Sequence, residues 1–166
     1  MEIARPLADR VIEAPRGRGA QMNAGAAAAS GDVLLFLHAD TSLPPEADRL
    51  VLEGLRSAAA QWGRFDVRID GESPLLPIVA ALMNARSRLT GIATGDQAMF
   101  VRRAAFVAAG GFPEIPLMED VELSNRLKRV SRPLCLAARV VTSGRRFDER
   151  GAIRTILLMW RIAPRS

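Results

Sequence analysis

The clearest feature of the hydropathy pattern is Val33-Leu34-Leu35-Phe36-Leu37, a short continuous apolar run. It follows Ser30-Gly31-Asp32 and is stopped by His38-Ala39-Asp40 and then Pro44-Pro45. A run apolar on both faces predicts a central parallel strand covered by helices on each side. Before it, the Ala-rich stretch 20–30 predicts a helix that Gly31 stops. After it, residues 45–61 predict a second helix, with Leu50, Leu52 and Leu55 on its apolar face and Glu46, Asp48, Arg49, Glu53 and Arg56 toward water. Residues 65–69 alternate with period two, the mark of a half-exposed strand. Residues 75–89 read as a helix and 97–101 as a strand between loops. Residues 119–129 read as a helix with Val121, Leu123, Leu127 and Val130 on its apolar side. Helices and strands thus alternate, so the expected fold class is α/β. No internal repeat or long linker divides the 166 residues, and one domain over 1–166 is expected.

Composition narrows the function classes. With 49% hydrophobic and 25% charged residues the chain is an ordinary globular sequence. Its net charge of +5 permits a polyanionic partner without demanding one. Aromatic residues make up 5% with no Tyr, which leaves few stacking platforms and argues against nucleic acid. Cys135 is the single cysteine, so an internal disulfide and a Cys-rich zinc site are excluded, and a reducing compartment fits. No apolar run reaches the ~20 residues of a membrane-spanning helix. The expected location is cytoplasmic, with room for peripheral membrane contact through the apolar, Arg-flanked stretch 153–162.

In open α/β sheets ligands bind beyond the carboxyl ends of strands, where His38-Ala39-Asp40 falls. A carboxylate there suits a hard divalent cation that neutralises a diphosphate. The local residues equally allow Asp40 to be a turn or helix-cap residue. His38 is the only histidine, so a His-rich metal site is excluded.

Three blocks carry a resemblance. The first is Arg16-Gly17-Arg18-Gly19-Ala20-Gln21-Met22-Asn23-Ala24-Gly25, with Ser30-Gly31-Asp32 and Leu35-Phe36-Leu37-His38-Ala39-Asp40 after it. The second is Gly95-Asp96-Gln97-Ala98-Met99-Phe100-Val101-Arg102-Arg103, then Gly110-Gly111-Phe112. The third is Met118-Glu119-Asp120-Val121-Glu122-Leu123. In order and spacing they resemble the family 2 glycosyltransferases of the GT-A fold, a three-layer sandwich, although His38 replaces the first Asp of the family's Asp-x-Asp triad. The combination also resembles a bacterial subgroup labelled arsenosugar-biosynthesis glycosyltransferases.

The resemblance implies an inverting, metal-dependent transfer of a sugar from a nucleotide-diphosphate donor to a hydroxyl of a small-molecule or lipid-linked acceptor. It assigns Asp120 as the base and Glu119 as its orienting neighbour. Arg16, Arg18, Asn23, His38, Asp40, Arg145 and Arg146 fall on the donor side, and Gly95, Asp96 and Gln97 on the acceptor side. Asp40 would hold the cofactor, Mg²⁺ or Mn²⁺. Against the family pattern the chain reads as lacking the first strand–helix–strand unit, with 11–13 as the next strand and a C-terminal helix about 149–163. A truncated, non-catalytic remnant that binds or oligomerises is therefore the alternative, and a homo-oligomer is compatible with either reading.

Overall fold

The structure is a computed structural model and describes residue 6 and residues 8–145. Arg146, the expected helix about 149–163 and the apolar stretch 153–162 lie outside the described residues. In chain order the elements are α1 (Arg18–Ala28), β1 (Val33–Phe36), β2 (Thr41–Ser42), α2 (Ala47–Ser57), β3 (Trp62–Asp70) and α3 (Leu76–Thr90). A 3₁₀ turn (Gly95–Gln97) then leads into β4 (Met99–Arg102), α4 (Arg103–Ala108), α5 (Glu119–Leu127) and β5 (Leu134–Ser143). The α/β expectation holds: the strands form one mixed sheet in the order β1-β4-β3-β5-β2. Among the described residues only β3 and β5 pair in parallel.

The run at 33–37 is not the central parallel strand that its composition predicts. Among the described residues β1 ends the sheet and pairs antiparallel with β4 alone. Its continuous apolarity has another cause. Val33 and Leu35 pack with a cluster built on Val51, Leu55, Phe65, Val67, Val79 and Met83. Leu34 and Phe36 pack with a second cluster built on Trp62, Met99, Phe106, Phe112, Leu123 and Leu127. Alternate residues of a strand point to opposite faces, so an apolar cluster on each face needs apolar residues at every position. Phe100 joins the first cluster, and Met99 and Val101 the second, for the same reason.

Two further expectations are corrected. Residues 11–13 form no strand; Val11 and Ile12 are exposed beside α1, where Arg10 Nη1 donates to Ala28 O at 3.1 Å. The segment at 65–69 is not half-exposed. Its strand runs from Trp62 to Asp70 and is buried through Val67, alternating only afterwards. Arg64 lies at 0% exposure inside it because Asp66, Ser87 Oγ (3.0 Å) and Asn84 O (3.1 Å) accept its guanidinium hydrogens. Arg88 donates to both Asp66 oxygens, at 2.6 and 2.9 Å. This polar seam, with the Asn84 amide paired to the Val67 backbone at 2.9 and 3.0 Å, fixes α3 on β3. A fully satisfied buried network of this kind specifies one packing.

Candidate active site

The register of β1 against β4 sets the site. Phe36 pairs with Met99, so the residues just after β1 meet those just before β4. After β1 the chain turns tightly, Thr41 N donating to His38 O at 3.1 Å. His38 Nδ1 then lies 3.2 Å from Asp96 Oδ1. That hydrogen bond holds the imidazole above its ordinary pKa of 6.5, against the opposing effect of burial.

The 3₁₀ turn ties three elements together through consecutive residues. Gly95 N donates to Asp120 Oδ2 at 2.7 Å, joining the turn to the start of α5. Asp96 holds His38, and Gln97 Nε2 reaches Asn84 Oδ1 on α3 at 3.4 Å. Gly95 has no room for a side chain, since a Cβ there would run into the His38 ring. Two non-glycine residues with positive φ flank the site: Ala98 (φ 45°), just after the turn, and Met118 (φ 70°), just before Glu119. Left-handed backbone at such residues stores strain of about 1–3 kcal/mol each and is typical of functional segments.

The first turn of α5 presents two carboxylates in different states. Glu119 is 1% exposed and takes a two-pronged contact from Arg18, Nε to Oε1 at 2.8 Å and Nη2 to Oε2 at 3.3 Å. Among the described residues Asp120 has no cationic partner in contact. Burial pushes its carboxyl above the usual value, and the backbone N–H groups of Gly95 and Val121 offset this only in part. Glu119 adds to the upward push and Arg18 opposes it.

The donor-side residues are gathered only in part. Asp40 is exposed, and its backbone oxygen accepts from Ser143 N at 3.1 Å as β2 pairs with β5. That pairing brings Asp40 and Arg145 to the same end of the sheet. Arg16 is exposed on the loop before α1, while Arg18 is turned to Glu119. Asn23 is not directed to the cluster: its amide donates to Phe112 O at 2.8 Å and accepts from Phe112 N at 2.9 Å. Among the described residues no group of three His, Cys, Asp or Glu side chains gathers to hold a metal. Asp40 offers one exposed carboxylate, so a cation held there would have to draw its remaining ligands from phosphate oxygens and water. A groove of about 600 Å³ between residues 10–14 and α1 contains none of these residues. Arg86 carries no motif signal, yet it belongs to this region: burial disfavours its charged guanidinium, and the Asp120 charge opposes that effect only in part.

A test of this geometry uses the lone histidine. Gly95→Ala should displace the His38 ring and weaken its bond to Asp96, so the His38 midpoint in an NMR titration should fall toward 6.5. An unchanged midpoint would mean that the turn and the ring are not in contact.

Among described residues no helix is long and apolar enough to cross a membrane. No curated relative matches the chain. The family described as Glycosyl transferase family 2 matches residues 2–106, which takes in the arginine loop, the His38–Asp40 turn, Arg86 and the 95–97 turn. Glu119 and Asp120 lie beyond the matched stretch and join it through Arg18 and Gly95. Such proteins are glycosyltransferases that use a nucleotide-sugar donor and an acceptor, and with well over half its length matched this chain belongs to glycosyl transferase family 2.

Proposed function

We propose that the chain transfers a sugar with inversion, in one displacement, from a nucleoside-diphosphate donor to an acceptor hydroxyl, with Asp120 as the base. The acceptor oxygen attacks the anomeric carbon and the bond to the diphosphate breaks. The electron pair leaves with the nucleoside diphosphate, and the acceptor's proton passes to Asp120. The observation that carries this reading is the half-buried Asp120 carboxylate, bonded to Gly95 N–H and shifted upward from its ordinary pKa by desolvation, with no ion-pair contact among the described residues. A carboxylate whose pKa is raised in this way is, once ionised, a better proton acceptor than an exposed aspartate. Glu119, paired to Arg18, keeps α5 in register with the arginine loop. Asp96 lines the acceptor side through the same turn, whereas Gln97 is fully buried and braces the turn instead, accepting from Thr94 N and donating to Asn84.

On the donor side, Asp40 and Arg145 at the sheet end would take the diphosphate, with Arg16 exposed nearby in sequence to Arg18. Mg²⁺ or Mn²⁺ on Asp40 would neutralise the leaving diphosphate. The fold in this reading is the GT-A sandwich, with α2 and α3 in one apolar cluster and α1, α4 and α5 in the other. The motif combination quoted above is the ground for placing the chain beside the bacterial arsenosugar subgroup, acting on a small-molecule or lipid-linked acceptor.

Asp40→Asn tests the donor side. The change removes charge at nearly constant shape at an exposed position, so the fold should persist while Mn²⁺-dependent binding of nucleoside diphosphate is lost. Calorimetry reads this directly. Equal binding by variant and wild type would remove Asp40 from the site. Release of nucleoside diphosphate from nucleotide sugars, assayed with and without a chelator, tests the reaction as a whole.

A further inference from the structure

Arg86 poses a problem that the reaction above does not solve. Its Nε and Nη2 are both buried, and neither has a hydrogen-bond partner among the described residues. On α3 it follows Val79 by seven positions and Met83 by three, so it shares the helix face that these two residues bury. Although the residue as a whole is half-buried, these two nitrogens are thus turned away from water, where leaving charged donors unmet is costly. Buried unsatisfied groups are few in native proteins, and each calls for a cause.

The orphaned pair has a definite shape. Nε and Nη2 form one edge of the guanidinium, with two parallel N–H bonds, an edge that matches the two oxygens of a carboxylate or phosphate. This protein already uses that edge once: Arg18 presents Nε and Nη2 to the two oxygens of Glu119 at 2.8 and 3.3 Å. Arg86 presents the same edge and meets no carboxylate. Asp120 is near enough to interact through space but makes no ion pair with it within contact distance.

We propose that this edge of Arg86 is the anchor for an anionic group, a carboxylate or phosphate, on the acceptor. The proposal rests on the reading of Asp120 as the acceptor-side base. An acceptor held at Arg86 by its anion would present a neighbouring hydroxyl to Asp120. The guanidinium would also compensate the charge that the substrate brings into a buried site. The diphosphate of the donor is the other source of such a group. Asp40 and Arg145, at the sheet end, already provide for it, which favours the acceptor.

The test uses inorganic phosphate as the probe, with the Arg86 Nε–H signal followed by NMR and affinity measured by calorimetry. Phosphate should shift the Arg86 signal in the wild type. Arg86→Gln should lower phosphate affinity by roughly 10–100-fold. Arg86→Lys, which keeps the charge but not the two-pronged edge, should retain only part of it. Binding of nucleoside diphosphate with Mn²⁺ should be unaffected by either variant. No shift of the Arg86 signal in the wild type, or full phosphate affinity in a folded Arg86→Gln, would overturn the anion site. Loss of nucleoside-diphosphate binding alongside phosphate would place Arg86 on the donor and overturn the acceptor assignment. Asp120→Asn separates the two readings: if it keeps wild-type turnover the base assignment fails, while the phosphate arms still decide the role of Arg86.

Discussion

Asp120→Asn is expected to lower turnover by roughly 10²–10⁴-fold, the usual contribution of a positioned general base. The substitution keeps the size of the side chain and an oxygen for the Gly95 N–H, which Asp120 binds at 2.7 Å, but cannot take a proton from an acceptor. Nucleoside-diphosphate binding should hardly change, because Asp40 and Arg145, not Asp120, are the residues assigned to the diphosphate. Stability should behave in the opposite sense to activity. Burial raises the folded-state pKa of Asp120, so its contribution is present below the unfolded value of about 3.9 and declines as pH rises through the folded value. Once ionised the desolvated carboxylate burdens the fold, and Asn relieves that burden. A variant that is inactive and at least as stable as wild type identifies Asp120 as catalytic. One that loses both together would make it a structural residue.

The largest effect on stability is expected from Asp66→Asn, at about 3–5 kcal/mol, the range for removing one partner of a buried ion pair. Arg64 is fully buried, and Asp66 is the carboxylate that neutralises it while also receiving two bonds from Arg88. Burial pushes the Asp66 carboxyl up, but the bonds from Arg88 and Arg64 outweigh it and the net displacement is downward. Its stabilisation is therefore complete above the unfolded carboxylate pKa and is lost as pH falls through the lower folded value. Urea unfolding at neutral and acid pH should show a steep acid loss in the wild type and a shallower one in Asp66→Asn. Equal stability of the two proteins at neutral pH would mean that the seam between α3 and β3 contributes nothing.

The elements that were legible in the sequence are those with strong local patterns. The helices at 20–30, 45–61, 75–89 and 119–129 appear as α1, α2, α3 and α5, because an amphipathic or Ala-rich stretch of that length has few alternatives. β5 was not legible. Leu134-Cys135-Leu136-Ala137-Ala138-Arg139 lacks clean alternation, and a register shift opposite Phe65 and Asp66 breaks the period of two. The direction of β1 was also hidden, since an apolar run records that both faces are covered but not which neighbour pairs or in which sense. The burial of Arg64 was not legible, because only tertiary contacts reveal its partners on α3.

The site shows the same division. His38, Asp96, Gly95 and Asp120 stand out by motif, and β1–β4 pairing together with the Gly95–Asp120 bond brings them together. Asn23 looked functional by motif, yet its amide is matched to both backbone groups of Phe112 and braces the 110–112 loop against α1. Arg86 carries no motif signal, because an arginine on a helix reads as a solvated charge until its burial is known.

The pH dependence of kcat/KM for nucleoside-diphosphate release, in wild type and in Asp120→Asn, tests the central claim most directly. A partly desolvated Asp120 acting as base predicts an acid limb in the wild type with its midpoint above the ordinary carboxylate value, and the absence of that limb from the residual rate of the variant. The same acid limb persisting in Asp120→Asn would contradict the assignment of Asp120 as the base.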